Sequence, residues 1–186
     1  MKPFYPSRRT NYRRAIGILF LSLICSLGFA QPGNDACSTP GTILTSSTVC
    51  NNTAGTMRTG AGAGTTATAT PGIAVTCGYA ANSVDVWYRF QAQSAYPVIT
   101  LGGIGSALDN FPGIALYTDA VCTGAQLNAN LLGCVTGAGT TLSLNVETIV
   151  GGAGLTIGNW YKIRVMANTA ATTATPANWA FNICVV

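Results

Sequence analysis

The chain has no histidine among its 186 residues, and only 8% of them are charged. Without an imidazole, Ser-His-Asp and Cys-His nucleophile systems are excluded. No C-x-x-C pair occurs, so zinc lacks both its usual nitrogen ligand and its usual thiolate spacing. Beyond one apolar run near the start, nothing approaches the roughly twenty apolar residues of a membrane-spanning helix. No segment carries a convincing apolar stripe at helical spacing; residues 125–132 come nearest and suit a short helical turn.

What is present begins with a leader. Arg8, Arg9, Arg13 and Arg14 precede an apolar run over residues 15–30 that closes with Gly28-Phe29-Ala30. A basic region, a short apolar core and a small-x-small end have the form of a secretory signal peptide. Residues 1–30 are therefore expected to be removed, leaving residues 31–186 as one domain. The expected location is secreted, periplasmic or cell-surface, with no membrane span after cleavage.

Cleavage changes the electrostatics. The precursor carries nine Lys+Arg against five Asp+Glu, a net charge of +4. Five of the basic residues (Lys2, Arg8, Arg9, Arg13, Arg14) lie in the leader. Arg58, Arg89, Lys162 and Arg164 remain against Asp35, Asp85, Asp109, Asp119 and Glu147, so four minus five gives −1. No basic cluster remains to neutralise phosphates, which excludes nucleic acid as a partner.

Cleavage also removes Cys25 and leaves Cys37, Cys50, Cys77, Cys122, Cys134 and Cys184. An even number in an exported chain implies disulfides. Cys122 and Cys134 enclose a short loop of a size suited to a bridge. Cys37 with Cys184 would join first and last strands, and Cys50 with Cys77 would follow. The sequence alone leaves three pairings open for those four.

The apolar clusters alternate with period two. Val84, Val86, Tyr88 and Phe90 alternate with polar neighbours and with Trp87; Leu142, Leu144 and Val146 alternate with Ser143, Asn145 and Glu147. Tyr161, Ile163 and Val165 form a third set, and Trp179, Phe181, Ile183 and Val185 a fourth. Such alternation marks half-buried strands. Weaker strands are expected at 42–44, 55–59, 98–101 and 114–118. Glycine and proline punctuate the gaps, and residues 60–71 and 168–176 read as polar loops. The expected class is all-β, an antiparallel β-sandwich of jelly-roll type, disulfide-linked.

Two chemistries are open to the remaining residues. Asp35, Asp109 and Asn110 stand beside turns and offer oxygen ligands for calcium, the one cofactor the sequence suggests; equally, Asp and Asn initiate turns by bonding backbone. Trp87 and Trp160 fall opposite the apolar stripes of their strands, where they could stack against a glycan or be covered by loops. No catalytic residue is assigned, and the chain is expected not to be an enzyme. Scattered carboxylates such as Asp85, Asp109 and Glu147 leave a hydrolase as the lesser alternative.

A family resemblance gathers several of these residues. Asn34-Asp35-Ala36-Cys37, then Asp85-Val86-Trp87-Tyr88-Arg89-Phe90, then Tyr161-Lys162-Ile163-Arg164-Val165, then Phe181-Asn182-Ile183-Cys184 follow one another in order. This order resembles the pre-peptidase C-terminal-like (PPC-type) sandwich modules of secreted bacterial proteins, over nearly all of residues 31–186. The resemblance implies a jelly-roll sandwich with an accessory, non-catalytic role and no fixed ligand-binding residues. Such modules commonly accompany further domains, whereas this chain stops at Val186, so a free module and a piece of a longer surface protein are equally expected. The expected partners are a cell-surface glycan or an envelope protein; a structural spacer without a ligand is the alternative.

Overall fold

The computed structural model describes residues 31–43, 45, 48–59, 67–68, 83–108, 111–119, 121–167 and 176–186. The expected leader (residues 1–30), Cys77, Asp109, Asn110 and most of the two expected loops lie outside the described residues. Nine strands are found among the described residues, in order: β1 (Gly41–Thr42), β2 (Thr53–Thr56), β3 (Val84–Gln91), β4 (Val98–Gly102), β5 (Pro112–Thr118), β6 (Leu131–Thr136), β7 (Thr141–Asn145), β8 (Trp160–Ala167) and β9 (Ala180–Val185). Among the described residues two short α-helices interrupt them, α1 (Gly124–Ala129) and α2 (Val146–Val150). No described helix is long and apolar enough to cross a membrane.

The strands form a five-stranded sheet, β1-β3-β8-β5-β6, and a four-stranded sheet, β2-β9-β4-β7. Every pairing is antiparallel except β1 with β3. The pairs β2/β9, β3/β8, β4/β7 and β5/β6 nest inside one another along the chain. This is a single long hairpin whose successive pairs fall alternately into one sheet and the other. The expected antiparallel sandwich of jelly-roll type is the observed fold.

Period-two alternation explains how the sheets meet. Val86, Tyr88 and Phe90 of β3, Ile163 and Val165 of β8, and Ile114 and Leu116 of β5 turn to one side of the first sheet. They pack on Ile99, Leu101, Leu144, Phe181, Ile183 and Val185 of the second sheet, forming one buried core. Apolar area removed from water between the layers is the main driving force for this arrangement.

Three local expectations are corrected. The strand expected through Glu147 ends at Asn145, because the Asn145 side chain accepts a hydrogen bond from the Glu147 N–H at 3.0 Å and starts α2; asparagine is a favoured helix cap. Trp179 belongs to a 3₁₀ turn, Pro176–Trp179, and the last strand starts one residue later. The helical turn expected at 125–132 exists as α1 but is followed at once by β6, a strand without clean alternation that the sequence did not signal.

The cystines also differ from expectation. Cys37 pairs with Cys122, and Cys50 with Cys184; Cys134 is disulfide-bonded, but not to Cys122. The expected Cys122–Cys134, Cys37–Cys184 and Cys50–Cys77 bridges are therefore not formed. The reason is layering. Cys184, between inward Ile183 and Val185, faces out from the second sheet, and Cys50 is close because Thr53 is in register with Ile183. Cys37 lies outside the other sheet. Disulfides of this kind belong to an oxidising compartment.

Candidate functional site

The outward face of the first sheet has two parts. Its middle is sealed. Residues 31–40 lead into β1 on the edge of β3 away from β8, where the Asn34 carbonyl accepts from the Trp87 N–H at 2.8 Å. The Asn34 side-chain amide donates to the Trp87 carbonyl at 3.0 Å. The Cys37–Cys122 disulfide ties this arm to the loop that precedes α1. Under this cover Cys37, Trp87, Ala115, Tyr117, Leu127 and Met166 form a second, smaller apolar cluster.

Within it lies a buried ion pair. Arg164 donates from Nε and Nη2 to Asp85 Oδ2 at 2.8 and 2.5 Å, and the Trp87 indole N–H donates to Asp85 Oδ1 at 3.0 Å. The Arg164 guanidinium stands 5.8 Å from the Trp87 ring centroid, within cation–π range. Trp87 is 0% exposed, so the expected role as a stacking platform is corrected: its face of the strand is the outer one, but the arm and α1 cover it. Both Asp85 oxygens are engaged and the residue is fully buried, which places it beyond the reach of a substrate.

The end of the same face is open. Trp160 is 37% exposed, and the Arg89 guanidinium lies 4.8 Å from its ring centroid. Lys162 Nζ binds Asp119 Oδ1 at 2.9 Å, with the Asp119 side chain 42% exposed. A cavity of about 330 Å³ is lined by Thr118, Asp119, Gly158, Asn159, Trp160 and Tyr161. Its shape depends on the turn before β8. Gly158 holds φ +87°, a left-handed conformation that suits glycine. The Gln91 side-chain amide donates to the Gly158 carbonyl at 2.8 Å, and the Ala92 N–H donates to the Asn159 carbonyl at 2.9 Å.

This cavity combines an aromatic ring, a carboxylate, a side-chain amide and a hydroxyl around a space of small-molecule size. Such a set can stack an apolar ring face and hydrogen-bond polar substituents around it. Trp160 was singled out in the sequence by its position opposite the β8 stripe. Asp119 and Asn159 were not, because they come from two loops that only the β5–β8 pairing brings together.

Of the expected calcium residues, Asp35 is described. Its Oδ1 accepts from the Thr68 N–H at 2.6 Å and its Oδ2 from the Thr68 hydroxyl at 2.9 Å, so the carboxylate clamps the arm to residue 68. Asp109 and Asn110 lie outside the described residues. Among the described residues no group of three or more His, Cys, Asp or Glu could hold a metal ion. Glu147 is exposed at the start of α2, far in sequence and sheet position from Asp85. No protein-family model matches this chain, and neither a curated protein nor a solved structure was found that matches it.

Proposed function

We propose that this chain is an exported, non-catalytic binding module of PPC type that attaches to a cell-surface polysaccharide through the Trp160 cavity. One observation carries the reading: a half-exposed tryptophan beside Asp119, Asn159 and Thr118 at the open end of the first sheet. The leader-like residues 1–30 and the oxidised cysteines support export. The burial of Asp85 and the absence of histidine support a role without catalysis.

A glycan array probed with residues 31–186 tests this. Binding to at least one polysaccharide class is expected, and Trp160→Ala should weaken it by about tenfold or more, the effect of losing one stacked ring. Silence across the array, or undiminished binding by Trp160→Ala, would sink the reading. A structural spacer is the second reading, favoured by the uncharged outward residues Thr100, Ser143 and Asn182 of the second sheet. Deletion that alters envelope assembly while pull-downs recover no partner would support it.

A further inference from the structure

We propose that the groove between β1 and β2 is a separate site that takes an uncharged, extended polypeptide segment as an added strand. β1 ends the first sheet and β2 ends the second, on the same side of the sandwich. Each is paired along one edge, β1 with β3 and β2 with β9, and no described strand pairs with the other edge. Such edges present main-chain N–H and C=O groups that another extended chain can satisfy.

The space between them is a cavity of about 580 Å³, with walls that include Gly41, Thr42, Thr53, Ala54, Gly55 and Thr56. Tyr88 lies across its floor. A Cβ added at Gly41 would stand 3.1 Å from Tyr88 Cδ1, and one added at Gly55 would stand 2.3 Å from the Tyr88 oxygen. The ring therefore spans the gap from one edge strand to the other, and the glycine at 55 is needed for it to lie there. Burial pushes the Tyr88 hydroxyl pKa up to about 12, against a smaller lowering by its hydrogen bond with Asn34. The floor thus keeps a neutral hydroxyl at ordinary pH.

Three features select a peptide over other ligands. The wall side chains are small, so the main chain itself is the recognition element. No described residue lining the groove is charged, so a charged ligand would be desolvated without a partner. The one aromatic residue among the described lining, Tyr88, is 4% exposed and offers no ring face to a sugar. Four residues of β2 give a pairing length of roughly 13 Å, at about 3.3 Å per residue. The site stands apart from the Trp160 cavity and does not depend on a glycan there.

The test uses residues 31–186 and a library of capped, uncharged heptapeptides, selected for binding and followed by amide NMR. Selected peptides should shift the amides of Gly41, Thr42 and Thr53–Thr56 and slow exchange along β2. N-methylation of alternate peptide residues should weaken binding by about tenfold in one register and leave the other register unchanged, because successive amides of a strand point to opposite edges. Gly55→Ala should abolish binding but collides with Tyr88, so Thr53→Arg, at the half-exposed start of β2, serves as the second variant. It should block binding with the melting temperature retained. The proposal is overturned if no peptide is selected, if shifts fall elsewhere, if both N-methyl registers bind alike, or if oligosaccharides produce the β2 shifts instead.

Discussion

On the outward face of the five-stranded sheet, Asp85, Trp87, Arg164 and Met166 are buried. On the outward face of the four-stranded sheet, Thr141, Ser143, Asn145 and Asn182 are exposed. Both faces are built from strands that alternate in the same way, and both carry a disulfide, Cys37–Cys122 on one side and Cys50–Cys184 on the other. The difference lies in what each bridge holds. The first ties an arm and a helix-bearing loop across the sheet and so makes an interior. The second ties the start of β2 to the β9 it already pairs with, and covers little. The Asp85–Arg164 pair lies under the first of these covers, because a buried charge needs both a partner and exclusion from water that the cover supplies.

The largest expected effect breaks the sealed face at its centre. Asp85→Ala leaves the Arg164 guanidinium buried without its carboxylate and should cost roughly 3–5 kcal/mol of stability in chemical denaturation. A smaller or absent loss would mean that water reaches the face.

Removing the bridges compares the faces directly. Cys37→Ala with Cys122→Ala, and Cys50→Ala with Cys184→Ala, should each cost about 2–5 kcal/mol. Only the first pair should shift tryptophan emission to the red, because only it uncovers Trp87. Equal shifts from both would show that the covers do not act separately.

Between the two faces, Tyr88 gives a pH signature. Its pKa is about 12 folded against 10.0 for the ordinary side chain. From pH 10 to 12 the unfolded chain releases this proton while the folded chain retains it, so stability falls with rising pH. Two pH units correspond to about 3 kcal/mol, fully present below pH 10. Denaturation midpoints of Tyr88→Phe should decline less steeply over that window; an identical decline would refute the assignment.

The smallest effect is expected on the open face. The Thr100 and Ser143 hydroxyls are 3.1 Å apart across β4 and β7. Thr100→Val should change stability by no more than about 0.5 kcal/mol, as is usual for surface substitutions. A larger loss would show that this face is covered in the working protein.

Much of the fold was legible in the chain. Alternation over 84–90 and 161–165 located β3 and β8 and identified Val86, Tyr88, Phe90, Ile163 and Val165 as inward, as found. β6 was not legible, because Gly133 and Cys134 interrupt its pattern and its strand state comes from pairing with β5. The candidate site was legible in half: Trp160 stood out by its position, whereas Asp119 and Asn159 join it only through the register that sets Thr118 opposite Tyr161.

Local pattern thus determined which side chains face the core, because a strand's period of two is a property of its own backbone. It also pointed to cross-linking, because residues 31–186 hold an even number of cysteines, and disulfides are found. Tertiary structure alone decided which cysteines meet and which outward residues are hidden. Those outcomes join residues 85 and 134 positions apart, and only the nesting of the hairpin into two layers sets what lies over Trp87 and what leaves Trp160 open.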